Sequence, residues 1–184
     1  MQRFFSKLHL KDREQEIING CLKGKASSQK QLYDSLAPKM FALCKRYMGN
    51  AEDAEDMLQE GFITLFSKLE SFSGEGSFEG WARRIFVNTA LMSLRKKDAL
   101  KDSGEIELAK SIKSEEPSQI ENLGQKEILA LISALPSKYR VVFNMYVIEG
   151  YSHKEIAEVL DISEATSRSQ LLRARAMLQE QIKG

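Results

Sequence analysis

A chain of 184 residues has room for one large domain or two small ones. With 42% hydrophobic and 29% charged residues it has the composition of a folded soluble protein, which excludes a disordered or fibrous chain. The net charge of +1 is silent about partners, so any case for nucleic acid rests on where the charges sit.

No run reaches the roughly 18 apolar residues that a membrane span needs. The oily start MQRFF is broken at Ser6 and Lys7, too early for a secretory signal. A cytoplasmic protein with no direct membrane insertion is expected. Cys21 and Cys44 form no CxxC pair, and His9 and His153 lie far apart, so no metal site and no cofactor are expected. Both thiols read as reduced packing residues.

Proline occurs only at 38, 117 and 136, and apolar residues recur at three and four, as in Met57, Leu58, Phe62, Leu65, Phe66 and Leu69. The spacing predicts an all-α fold. In chain order, helices are expected at Asp12–Lys23, Ser27–Met48, Ala51–Ser71, Phe78–Lys97, Lys126–Ala134, Lys138–Gly150, His153–Val159 and Glu164–Ile182. Gly24, Gly49-Asn50, the Gly74/Gly76/Gly80 cluster and Gly150 supply the breaks. Residues 1–11 receive no assignment.

The third of these helices opens with Glu52, Asp53, Glu55, Asp56 and Glu60, five acids within three turns. Acids suit a helix N-terminus, so a solvated first turn is one account. The apolar residues among them favour a docking face. Next, SFSGEGSF is a glycine-rich loop with Phe72 and Phe78 at its ends, flexible enough to wrap around a planar ligand. The stretch WARRIFVNTALMSLRKK, Trp81–Lys97, is then a puzzle. It is apolar on most sides, yet carries Arg83, Arg84, Arg95, Lys96 and Lys97 and no acid. Its ligand should be anionic and able to offer apolar or π surface.

Residues 98–125 contain seven acids, three lysines, no aromatic and Pro117. That composition describes a flexible acidic linker. It divides an N-terminal helical domain (12–97) from a C-terminal one (126–184), and two tethered modules suggest a ligand with two separated landmarks.

Glu149–Leu178 reads as a helix-turn-helix. Ala157 is small where a second helix must cross, Asp161 tolerates a left-handed turn, and Ser163 is a good N-cap. Winding the second helix puts Leu171, Ala174, Leu178 and Ile182 on one face. Thr166, Ser169, Gln170 and Arg173 lie opposite, with Arg168 and Arg175 at the flanks. Such a face offers short polar groups to base edges and guanidiniums to phosphates or guanine. An αα-hairpin with a solvated polar face would share the helix pair, but not the corner, cap and arginines together.

The same residues carry a resemblance. Asp53-Ala54-Glu55-Asp56, Gln59-Glu60 and Phe62, then Phe72, Gly74, Phe78, Trp81, Arg84, Ile85 and Asn88, resemble region two of bacterial RNA polymerase sigma factors of the extracytoplasmic-function (ECF) type. Leu135-Pro136, Arg140, Phe143, Gly150, Glu155-Ile156-Ala157 and Arg173-Ala174-Arg175 resemble region four of that family. The likeness covers residues 31–97 and 126–182. The chain departs from the pattern at Ser167 (usually valine), Asp161 (usually glycine) and Gln170 (often arginine).

The resemblance implies a promoter-specificity subunit without catalysis, one that recognises the −35 and −10 elements and helps to open the DNA for a stress or signal regulon. Asp53, Asp56, Gln59, Glu60 and Phe62 would dock on the coiled-coil of the largest subunit of core RNA polymerase, with the flap region as a further contact. Phe72, Phe78, Trp81, Arg83, Arg84, Asn88, Arg95 and Lys96 would meet the melted downstream element. Ser163, Thr166, Arg168, Ser169, Gln170, Arg173 and Arg175 would read the upstream element. An anti-sigma factor is a further implied partner.

Physical chemistry fits these roles. The cations neutralise phosphates, and Asn88 presents donors and acceptors to an unpaired base. Extruding a base costs a few kcal/mol and aromatic stacking returns about 1–3 kcal/mol, so melting by the protein alone should be poor. Trp81 as a core residue and Asn88 as a buried amide are the plainer alternatives. For the whole chain, the alternatives are a stand-alone helix-turn-helix regulator of duplex operators and a helical adaptor with no DNA role. Phosphate-loop, HExxH and GxSxG motifs are absent from the sequence, so no enzyme is expected.

Overall fold

A computed structural model describes residues 13–101 and 124–183, and they form an all-helical protein with no strand among the described residues. Helix α1 (13–22) buries Ile18 and Cys21. Gly24, at a left-handed φ of 72°, turns the chain into α2 (Ala26–Met48). Leu32, Leu36, Met40, Leu43, Cys44 and Tyr47 recur at three and four along α2 and are all buried.

Gly49 closes α2 at φ 82°, its N–H reaching the Lys45 carbonyl. Asn50 then caps α3 (Ala51–Lys68), its side-chain oxygen accepting the Asp53 N–H at 2.8 Å. One 3₁₀ turn, Leu69–Ser71, ends that segment, as the expected Ala51–Ser71 helix requires. Helix α4 (Phe78–Lys101) crosses α3 closely. A Cβ on Gly61 would lie 2.2 Å from the buried ring of Phe86, so only glycine fits there. α4 also runs to Lys101, past the expected end at Lys97. The remaining linker residues, 102–123, lie outside the described residues, as do His9 and the N-terminal stretch.

The C-terminal module starts with α5 (Gln125–Ala134) and α6 (Ser137–Phe143). Leu135, extended before Pro136, sets the bend between them. The helix expected over Lys138–Gly150 forms without a break from Ser137 to Ile148, but not as a uniform α-helix. After Phe143 the backbone widens into a π turn, Asn144–Ile148. A π turn of this kind marks a place where something outside the helix draws on it; here the Asn144 side chain donates to the carbonyl of Arg46, in α2. Helix α7 (His153–Leu160) and helix α8 (Glu164–Lys183) complete the chain.

Leu135, Tyr139 and Ala174, with Phe143, Met177 and Leu178 around them, form a small core between α6 and α8. The larger core is shared. Val141, Val142, Met145, Ile156 and Leu171 of the second module belong to the same buried cluster as the residues of α1–α4. The two modules, for which the sequence implies a tether and no particular arrangement, are packed against one another.

Candidate nucleic-acid interface

The helix α4 puzzle resolves by faces. Ala82, Ile85, Phe86, Val87, Thr89, Ala90 and Leu91 are buried, covered by α2, α3 and the C-terminal module. Arg84, Asn88, Arg95 and Lys96 are exposed, and so is Met92, at 71%. With spacings of three and four they make one stripe along the open side of the helix. Asn88 is therefore not a buried amide, and its side chain faces solvent between cations.

Arg83 is different. It is half-buried and turned toward the C-terminal module, where Nε donates to Glu149 Oε2 at 3.1 Å and Nη2 to the two carboxylate oxygens at 3.0 and 2.9 Å. Arg95 likewise donates to the Val159 carbonyl of α7.

The aromatic residues of the loop form a cluster. Phe72 meets Phe78 edge-on at 5.1 Å and Trp81 at 5.3 Å, while Phe78 stacks on Trp81 at 5.5 Å. Phe78 is only 3% exposed and belongs to the core. It does not reach a ligand; it holds the base of the loop. Phe72 and Trp81 are half-buried and present partial surfaces beside the stripe. Gly74 and Gly76, with left-handed φ of 77° and 78°, carry the loop over this cluster.

On α3, Glu52, Glu55, Asp56, Gln59 and Glu60 are exposed, as a docking face requires. Asp53 is half-buried and accepts from the Asn50 side chain at 2.7 Å, so its first duty is to the helix cap. Phe62, expected on that face, is 4% exposed and packs against Tyr33 at 4.4 Å and Phe86 at 5.3 Å. It is a core residue. The apolar group that does stand beside the acids is Ile63, 70% exposed, which the sequence pattern did not single out.

The helix-turn-helix forms as its residues dictate. Ser152 and Glu155 cap α7 reciprocally: the Glu155 carboxylate accepts from the Ser152 N–H at 2.8 Å, and the Ser152 hydroxyl accepts from the Glu155 N–H. The Ser152 N–H, and the Ser152 hydroxyl donating at 2.7 Å, hold the Glu155 carboxyl below its ordinary range. Asp161 takes the left-handed conformation, φ 56° and ψ 48°. Ser163 accepts the Thr166 N–H at 3.0 Å, starting α8. Ser163, Arg168, Ser169, Arg173 and Arg175 are exposed, and Thr166 and Gln170 are half-exposed beside them. Two of the arginines have neighbours: Arg168 pairs with Glu164 at 2.6 Å, and Arg173 donates to the Tyr139 hydroxyl at 3.3 Å.

Ser167 explains its own departure. It is fully buried, and its hydroxyl lies 2.9 Å from His153 Nδ1, with the imidazole stacked on Tyr146 at 4.4 Å. A buried hydroxyl needs such a partner. Burial, with Arg168 nearby, pushes the His153 pKa down.

Comparison with known proteins agrees with this geometry. The family model described as Sigma-70 region 2 matches residues 32–100, and that for Sigma-70, region 4 matches residues 125–178. The ECF RNA polymerase sigma factor SigE of Mycolicibacterium smegmatis is 31% identical over 149 residues, 78% of this chain and 57% of that protein. The ECF RNA polymerase sigma-E factor of Haemophilus influenzae is 28% identical over 180 residues, 92% of this chain and 95% of that one. Among solved structures, the sigma factor RpoE of Bartonella quintana, in complex with the anti-sigma factor NepR, shares the fold. Its TM-score is 0.53 at 23% identity, over 84% of this chain and 96% of that one. Both sigma-70 regions, in order, lie on the two modules that carry the exposed cationic stripe and the helix-turn-helix, and the chain belongs to the sigma-70 family of RNA polymerase sigma factors, in its extracytoplasmic-function group.

Proposed function

We propose that this protein is the promoter-specificity subunit of an RNA polymerase holoenzyme, working in the cytoplasm and without catalysis of its own. The observation that carries this reading is the exposed stripe Arg84–Asn88–Met92–Arg95–Lys96 on a rigid helix, paired with a second DNA-reading face on α8. One face suits a melted strand, with cations for phosphates and an amide for a base edge. The other suits the major groove of a duplex.

The acidic side of α3, from Glu52 to Glu60 with Ile63 at its end, is the docking surface for a basic coiled-coil of the largest polymerase subunit. The C-terminal module meets the flap region, and an anti-sigma factor that grips both modules is the natural antagonist. A solitary operator-binding regulator is not favoured, because region two has no place in such a protein. No described helix is long and apolar enough to cross a membrane.

Run-off transcription tests the proposal. Purified protein with core polymerase should initiate from a defined subset of a promoter library, and sequencing of the transcripts should recover two spaced elements. Initiation indistinguishable from core polymerase alone would refute it.

A further inference from the structure

Ser167 is the fourth residue of α8 and the first of that helix to be fully buried. Leu171 and Ala174 follow it at spacings of four and three on the same buried face. Its neighbours in the chain, Thr166, Arg168 and Ser169, are half or wholly exposed on the other side. A recognition helix meets base edges with its N-terminal residues. The buried polar residue of α8 therefore lies at the end of the helix that does the reading.

The partner of that hydroxyl is held from two directions. His153 is the first residue of α7, just after the reciprocal Ser152–Glu155 cap that fixes where the helix begins. Its imidazole stacks on Tyr146 with ring centroids 4.4 Å apart and planes inclined at 22°. Nδ1 of this ring lies 2.9 Å from Ser167 Oγ. Apolar contact is non-directional, and a helix seated only by Leu171 and Ala174 could turn somewhat about its own axis. A hydrogen bond has a preferred length and direction, and this one joins α8 to the start of α7. Small turns matter here. Side chains reach roughly 6 Å from a helix axis, so a turn of about 15° carries their tips about 1.5 Å. Good hydrogen bonds tolerate a range of only about 0.5 Å. Such a turn would change the bases that the exposed side chains of α8 can meet.

We infer that His153 and Ser167 are positioning residues: their hydrogen bond fixes the rotation of α8 on α7 and thereby selects the bases read in the upstream element. This rests on the reading of α8 as the helix that enters the duplex. Neither residue has to touch DNA.

The test uses the full chain with core polymerase on a promoter library randomised in the upstream element alone. Ser167→Ala, His153→Ala, the double variant and His153→Asn are compared with the wild type, and sequencing of the transcripts gives the base preference at each position. Ser167→Ala should lose about five-fold of discrimination at one or more positions, the value of a weakened base contact. His153→Ala should lose discrimination at the same positions. The double variant should fall no further than the worse single one, because both changes break one bond. His153→Asn, whose amide can place a hydrogen-bonding atom near the Nδ1 position, should keep more of it than alanine does. Circular dichroism verifies helicity at the assay temperature. If His153→Ala fails to fold, Ser167→Ala and His153→Asn still decide. A merely structural pair would lower the Tm and total transcription and leave the ranking of bases as it is in the wild type. That unchanged ranking, losses that multiply in the double variant, or an asparagine no better than alanine would overturn the positioning role. A wild-type holoenzyme with no upstream preference at all would overturn the promoter function along with it.

Discussion

Asn88 stands one helical turn from Arg84 and one from Met92, on the exposed side of α4. An exposed amide between cations on a rigid helix has both the donors and the acceptors that a splayed base edge requires. Replacing it by alanine removes those bonds and leaves the core untouched. Asn88→Ala is therefore expected to lower initiation from a cognate promoter about ten-fold, the effect of losing about 1.4 kcal/mol of base contact. Core polymerase should still co-elute with the variant, since the acidic face of α3 is unaltered. Wild-type transcription by Asn88→Ala would remove this side chain from the reading of bases.

At this scale the sequence was legible in some places and misleading in others. Ser163 and Asp161 took their turn roles because capping and left-handed backbone are decided within three residues. Phe62 and Phe78 stand in family motifs that imply surface roles, yet both are core. The apolar period containing Phe62, Leu65, Phe66 and Leu69 already pointed Phe62 inward, away from Asp56 and Gln59. Periodicity records which side of a helix is dry, and a motif match does not. Glu149 could not be picked out, because its partners lie 66 and 103 residues away.

Helices were more legible than their junctions. Caps such as Asn50 and Ser152, and the glycine and Leu135-Pro136 breaks, are local, so most ends fell within a few residues of expectation. The π turn at Asn144–Ile148 was not visible; its first residue, Asn144, donates to an α2 carbonyl 98 residues away, a contact that no local pattern announces. The α3–α4 crossing also has a local mark whose meaning is not local. Gly61 interrupts a helix, where glycine costs about 1 kcal/mol relative to alanine. It is there because Phe86, fully buried, lies against it. Gly61→Ala should gain that propensity but lose more to overpacking, which costs about 1–3 kcal/mol. A net loss of about 1–2 kcal/mol is expected, a fall in Tm of roughly 2–8 °C. Thermal unfolding followed by circular dichroism measures it, and an unchanged or higher Tm would mean that the helices can move apart without cost.

Considered whole, the molecule is two modules with one shared core, and this bears on how it unfolds. A chain of independent domains would lose them separately, at midpoints set by each. Here Val142, Met145 and Ile156 of the second module pack into the cluster formed by α1–α4. Arg140, buried, donates to the end of α2. Exposing that seam alone would leave the Arg140 guanidinium without two of its carbonyl partners and strip apolar contacts from both sides. Trp81 is the only tryptophan in the chain and sits in the first module, half-buried against Phe72 and Phe78, so its fluorescence reports that module alone. Far-ultraviolet circular dichroism reports the helices of both. In a urea titration of the free wild-type protein, the two signals should change together, with one midpoint and one m-value appropriate to the full chain. In Glu149→Gln, where the seam is weakened, the circular dichroism transition should broaden or divide while the tryptophan transition stays sharp. Two separated midpoints in the wild type would mean that the shared core contributes little and that the modules fold as strangers joined by a linker.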